Sequence, residues 1–443
     1  MKFYKYTPHF ISFIFLSSLI YVTFRFFVYH EGQYFYYYQK YFIITSALLF
    51  SSIPLFFIKD FFKKIIFNTS ILLILAFYSV EVILVIQLKS KIDNEKINFE
   101  DKRSIIQVLD DYENDGISVL PAKYAHYSKE NDLLSFGGVS NMFTVFCNEN
   151  GYWATYISDR YGFRNPDSAW DADNVTVLVG DSTTQGACVN DEDTLAGNMR
   201  RMINEDNYNE TIISLGVGAR GPVTEYANLR EYIELIEPKR IVWLYHESND
   251  LYELETEVNN ENLKKYTKDE SFRQNLHLKQ EQIDKVLKNQ IKKSIDEKKN
   301  NPNSNYLDGW YNVKYFLRLS LLRLKILHPD QHSYDESTII EFEKIMIKVK
   351  ELSLRYNSEL YFVYLPDYWR YVNNNSLQFN NYGEIKNVIK KLKIDLIDIN
   401  ELFFANEKDQ LQYWPFRKFG HYNELGFNKV SQKIYDEINW PQK

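Results

Sequence analysis

The chain has 443 residues, 45% apolar and 16% aromatic, which excludes a disordered or collagen-like polypeptide and exceeds the size of one typical domain. Its mean hydropathy of -0.40 is that of a water-soluble protein, yet the first ninety residues are far more apolar than the rest. Those ninety carry eight Lys and Arg against three Asp and Glu, a net +5; the remainder carries 44 against 56, a net -12, which argues against nucleic acid as a partner. The abundant Tyr (35) and Phe (31) read as compositional bias rather than as a carbohydrate-binding surface.

Stretches 10–29, 41–58 and 65–88 are each close to or above the ~20 residues that cross a hydrocarbon core as helix. Three spans are expected. No small-residue cleavage pattern follows the first, so the front is read as an anchor and not as a removable signal peptide. Lys2 and Lys5 precede the first span, and Lys59, Lys63 and Lys64 fill the second loop, which puts the N-terminus in the cytoplasm by the positive-inside rule. Everything after Leu88 is then outside, making a multi-pass protein of the cytoplasmic (inner) membrane with an extracytoplasmic body. Arg25 and Pro54 interrupt the apolar runs, and a count of two spans would reverse that orientation. Glu81, in the third run, is expected near the outer interface or facing a neighbouring helix.

Residues 91–170 read as a charged, helix-prone stalk and a strand-rich pre-domain. From 171 to 443 short apolar strands at 175–179, 211–215, 240–245, 360–364 and 395–399 alternate with helical periodicity, the pattern of a parallel sheet covered on both faces. A lysine- and asparagine-rich helical insertion interrupts this at about 254–335. Its last part, 311–327, is apolar with Lys and Arg interspersed, and is expected to pack on the α/β body, with the membrane surface as the other option. Functional groups in such sheets sit at the carboxyl ends of the strands.

Gly180-Asp181-Ser182 follows the first strand, Gly216 to Gly221 the second, and His246-Glu247-Ser248-Asn249-Asp250 the third; Gly420-His421 precedes the last helix. A serine hydroxyl attacks a carbonyl only when a base takes its proton and donors stabilise the oxyanion, and these loops offer both. Four blocks in this order resemble the SGNH/GDSL hydrolase superfamily, and more narrowly a membrane-attached bacterial branch of it. The resemblance implies a three-layer α/β/α, flavodoxin-like fold with Ser182 as nucleophile and His421 as base. It also implies an oxyanion hole made by the N–H of Ser182, the N–H of Ala219 and the amide of Asn249. Three positions depart from the family pattern: Ala219 and Glu247 replace glycines, and Lys418 stands where the triad acid three residues before the histidine belongs. Asp398 or Asp409 is then expected to supply that carboxylate, or His421 acts in a dyad. His246 reads as a packed strand-end residue, and Asp181 as the anchor of the turn under Ser182.

Cys147 and Cys188 are the only cysteines, and an oxidising compartment allows them to join and pin the pre-domain beside the site. No zinc-ligand spacing, Walker motif or dinucleotide glycine pattern occurs, so neither metal nor cofactor is expected. The function expected is a membrane-anchored serine esterase acting on an acyl group, acetyl foremost, of a cell-envelope saccharide. An O-acyltransferase using the same residues and an inactive glycan-binding relative are the alternatives.

Overall fold

The computed structural model describes residues 3–29, 35–94, 100–123, 126–128, 132–300, 316–327, 334, 336–372, 381–418 and 420–440. By internal packing the chain divides into two units, Met1–Lys96 with Asn303–Gln331, and Ile97–Pro302 with His332–Lys443.

The first unit holds α1 (Thr7–Phe24), α2 (Phe35–Ser52) and α3 (Asp60–Asn94). Three stretches, Phe3–Val28, Tyr38–Phe56 and Asp60–Gln87, are long and apolar enough to cross a membrane. Arg25 opens the π-helical turn that follows α1, and Pro54 lies in a short 3-10 turn after α2, so neither breaks a helix. The Ser12 and Ser52 hydroxyls are hydrogen-bonded at 2.8 Å between α1 and α2, and Val22, Phe26 and Tyr38 bury one another where these helices meet. Many of the apolar side chains, such as Phe13, Ile20, Leu72 and Ile86, face outward. That is the distribution a lipid-facing surface requires.

Glu81 of α3 is fully buried. Its carboxylate accepts the backbone N–H of Leu321 at 3.0 Å and of Leu322 at 2.8 Å, and so satisfies the open donors at the start of the helix Ser320–Leu327. The Tyr78 hydroxyl donates to the Leu317 carbonyl at 2.9 Å. The late part of the insertion therefore belongs to the unit of α1 to α3, where its N–H groups find their acceptor on α3, and the expected packing on the α/β body is replaced by this one. Residues 311–315 of that segment lie outside the described residues.

The second unit begins with α4 (Ile105–Asn114), started by a capping box between Ser104 and Gln107. Its Val108 and Leu109 pack on Val119 and Val145 of the pre-domain, so this part of the expected stalk has a core contact. The pre-domain strands are β1 (Val119–Pro121), β2 (His126–Ser128), β3 (Leu133–Ser135), β4 (Phe143–Val145) and β5 (Thr155–Ile157). They form a three-stranded sheet β1-β4-β5 and a separate β2-β3 pair.

The main sheet comprises β6 (Val175–Gly180), β7 (Thr211–Ser214), β8 (Arg240–His246), β9 (Glu359–Leu365) and β10 (Asp395–Asp398). Its order is β10-β9-β8-β6-β7 and every pair is parallel, the 2-1-3-4-5 arrangement of flavodoxin-like folds. Alternate residues enter two cores. Val177, Val179, Ile241, Trp243 and Phe362 face one side with α5 (Pro222–Ile236), whereas Leu178, Val242, Leu244 and Val363 face the other with α6 (Glu424–Glu437). A strand buried on both faces must be apolar throughout, which explains the unbroken VTVLV and RIVWLY runs.

Candidate active site

The carboxyl ends of β6, β7 and β8 deliver the first three loops. Ser182 opens a four-residue helix, Ser182–Gln185, whose cap is Asp181: the Asp181 Oδ1 accepts the Thr183 N–H at 2.8 Å. Being the first helical residue, Ser182 has an N–H without an intrahelical acceptor. Gly216 is required beneath this helix, since a Cβ there would lie 2.2 Å from the Gln185 nitrogen.

The Ser182 Oγ lies 2.8 Å from His421 Nε2. On the opposite edge of the imidazole, Nδ1 is 3.1 Å from both Glu149 oxygens, and Glu149 Oε2 also accepts the His421 backbone N–H at 2.7 Å. With a carboxylate at Nδ1 the proton resides there, and the bare Nε2 faces the serine hydroxyl. Burial pushes the Glu149 carboxyl up, but the hydrogen bond and charge of His421 outweigh it and hold it below the ordinary carboxylate range. Burial works to lower the imidazole, and Glu149 together with the charges of Asp181 and Asp367 overcomes it, so His421 titrates above its ordinary value.

Glu149 belongs to the pre-domain. Cys147 and Cys188 form a disulfide, and the Asn150 amide donates to the Cys188 carbonyl at 3.0 Å. These two links fasten the Glu149 segment to the loop that follows the serine helix. Gly420 completes the approach, because a Cβ there would sit 2.8 Å from Glu149 Oε2.

Neither aspartate expected as the acid reaches the histidine. Asp398 caps the short helix after β10 by accepting the Glu401 N–H at 3.2 Å, bonds the Tyr382 hydroxyl and pairs with Lys386 at 2.7 Å. Asp409 is held by the Arg417 guanidinium at 2.6 Å. Both are neutralised by cations on their own side of the chain, and the position at His421 is filled by Glu149. The arrangement at His421 is therefore that of a serine–histidine–carboxylate line and not of a bare pair. The signal for Glu149 was available in the sequence: it is the acid two residues beyond Cys147, in Cys-Asn-Glu-Asn-Gly.

The loops expected to stabilise an oxyanion are present but strained or engaged. Ala219 sits at φ +56°, the left-handed region where a Cβ is costly. Its loop is anchored by Glu257, whose carboxylate accepts the N–H groups of Gly221, Val223 and Thr224 at 2.9, 3.0 and 3.1 Å. The Asn249 amide donates to Asp181 Oδ2 at 2.8 Å, which places it beside the serine turn. Its oxygen is 3.0 Å from His246 Nδ1, so His246 orients Asn249 as well as ending its strand. Glu247 turns inward, where it is buried, pairs with Arg370 and accepts the Tyr364 hydroxyl at 2.5 Å. Its bulk is therefore kept away from Asn249.

The parallel sheet in 2-1-3-4-5 order, with serine, glycine-turn, asparagine and histidine loops converging at its carboxyl edge, decides the fold. The α/β unit has a flavodoxin-like, three-layer α/β/α fold. No protein-family model matches the sequence, and no curated protein does. Solved structures similar to this chain include an acetyl xylan esterase, with 14% identity over 60% of this chain and 100% of the other and a TM-score of 0.35. A lipase/acylhydrolase from Enterococcus faecalis has 11% identity over 61% and 100%, with a TM-score of 0.34. A two-domain esterase active on acetylated mannans has 12% identity over 62% and 55%, with a TM-score of 0.34.

Proposed function

We propose that the chain is a membrane-anchored serine esterase that removes an acyl group, acetyl foremost, from an ester on a cell-envelope saccharide, with its SGNH/GDSL-type unit outside the cytoplasm. The contiguous line Glu149–His421–Ser182 carries this reading. His421 Nε2 takes the hydroxyl proton as Ser182 Oγ bonds to the ester carbonyl carbon, and the tetrahedral oxyanion is received by the N–H groups of Ser182 and Ala219 and by the Asn249 amide. The imidazolium, stabilised by Glu149, returns the proton to the leaving alcohol oxygen as the ester C–O bond breaks. Water then attacks the acyl-serine with His421 again acting as base, which releases the acid and restores the hydroxyl. Transfer to an acceptor hydroxyl in place of water uses the same groups.

Placement outside the cytoplasm is supported by the Cys147–Cys188 disulfide, a bond that persists in oxidising compartments, and by three stretches able to span a membrane. The reading of an inactive, glycan-binding relative rested on Lys418 at the acid position and on the altered third block; Glu149 at His421 Nδ1 and the inward turn of Glu247 speak against it. The saccharide substrate is part of this reading and rests on the proposed envelope location. Detergent-solubilised protein offered 4-nitrophenyl acetate and acetylated xylan tests the reading. Ser182-dependent release of acetate supports it, and turnover unchanged in Ser182→Ala refutes it.

A further inference from the structure

The anchor unit contains a cavity of about 590 Å³ between α1, α2 and the helix Ser320–Leu327. Tyr21, Arg25, Tyr41, Thr45, Arg318 and Arg323 are among the residues that line it, and no carboxylate does among the described ones. Three guanidiniums thus converge on a space otherwise walled by apolar and hydroxyl side chains. Two of them are preset by aromatic rings: Arg318 lies over Tyr21 at 5.4 Å and Arg323 over Tyr41 at 5.5 Å from the ring centroid. The buried Nε of Arg323 has no hydrogen-bond partner among the described residues.

The cavity's place in the anchor is defined by chain direction. Arg25 directly follows α1, whereas Tyr41 and Thr45 lie in the first half of α2, so the polar part of the lining is at the end of the α1–α2 hairpin away from the N-terminus, and Phe13 and Ile14 extend it toward the middle of α1. Glu81, which holds the helix carrying Arg323, lies about 30 Å along α3 from Asp60, at the same end. Under the orientation proposed above this is the outer side, where the positive-inside rule disfavours Arg and Lys. Arg318 and Arg323, set there in an open groove that is otherwise apolar and hydroxyl-lined, call for an anion that enters from the membrane. Guanidinium forks match phosphate oxygens in pairs, and the walls of Phe13, Ile14 and Val22 suit an acyl or prenyl chain attached to it.

We propose that this cavity binds the headgroup of a phosphate-bearing lipid. The inference rests on the reading of α1 to α3 as membrane spans and not on the chemistry at Ser182. The phosphate sits between Arg318 and Arg323, and the lipid chain leaves along α1 and α2.

The test uses the full chain in nanodiscs of phosphatidylcholine with and without phosphatidic acid, with native mass spectrometry of the lipids that remain bound. Wild type is expected to retain phosphatidic acid at least tenfold over phosphatidylcholine, and R318Q/R323Q to lose that preference while R318K/R323K keeps most of it. Ser17→Trp, which fills the cavity and leaves every charge, is expected to lose it too, and serves where the glutamine pair does not fold. Absence of a preference in wild type, or its survival in both R318Q/R323Q and Ser17→Trp, overturns the proposal. Displacement of the lipid by millimolar inorganic phosphate overturns the lipid assignment. Fluorophosphonate labelling of Ser182, measured in parallel, separates failure of the lipid site from failure of the esterase reading.

Discussion

Glu149 and His421 are 272 residues apart in sequence, yet both carboxylate oxygens of one lie 3.1 Å from Nδ1 of the other. The carboxylate beside His421 thus comes from the pre-domain, ahead of Ser182 in the chain, and under the proposed esterase reading the pre-domain is part of the site.

Replacing Glu149 by Gln keeps the shape but removes the charge that fixes the imidazole tautomer and stabilises the imidazolium. A fall in kcat of about 10²- to 10⁴-fold is expected. Catalysis requires neutral His421, whose pKa is raised, so in wild type the acid limb of kcat/KM has its midpoint above 6.5. Without the carboxylate, burial dominates and the midpoint moves down. A pH–rate profile of the two proteins checks both effects, and an unchanged midpoint contradicts the pairing.

Reducing the Cys147–Cys188 bond, or changing Cys147 to Ser, frees a loop of 41 residues. On the loop-entropy description this costs about 4 kcal/mol. It also loosens the segment that carries Glu149, so kcat is expected to drop toward that of Glu149→Gln while Ser182 still reacts slowly with a fluorophosphonate. Denaturant titration and turnover with and without reductant measure this. Equal kcat in both states contradicts the fastening role.

Ala219 holds a left-handed backbone conformation at φ +56° that glycine adopts freely. Ala219→Gly is expected to raise stability by about 0.5–1 kcal/mol, or at least not to lower it, and to leave kcat within about threefold, because the N–H is retained. Thermal unfolding and turnover of the pair test this. A loss above 1 kcal/mol contradicts the strain.

Glu257 satisfies three N–H groups at the start of α5, and all of these groups are buried. Glu257→Ala leaves them without an acceptor and is expected to destabilise the fold by about 2–4 kcal/mol and to lower kcat by displacing the Ala219 loop. Denaturant unfolding together with turnover reads both, and a change under 0.5 kcal/mol contradicts the anchoring.

Much of the α/β architecture was legible in the sequence, because strands buried on both faces leave unbroken apolar runs and the motifs fall where such runs end. Ser182 was singled out because its motif follows such a run, His421 because it precedes the last helix, and the cysteine pair because the sequence holds just those two cysteines. Glu149 was not singled out, because its approach to His421 is long-range and only its place two residues beyond Cys147 pointed to it; the family position for the acid is local to the histidine, and here it holds Lys418. The role of Glu81 was hidden too, since an acid in an apolar run shows nothing of the helix N-terminus it satisfies 240 residues away. His246 shows a third case, in which a residue that ends a strand also orients Asn249.

The central claim is that Ser182, His421 and Glu149 work as one unit. A double-mutant cycle on acetyl-ester turnover tests it most directly, comparing Ser182→Ala, Glu149→Gln and the double variant with wild type. The account predicts that the double variant is no slower than Ser182→Ala alone, since the carboxylate acts only through the histidine and the serine. Additive losses, or full activity in Glu149→Gln, would contradict it.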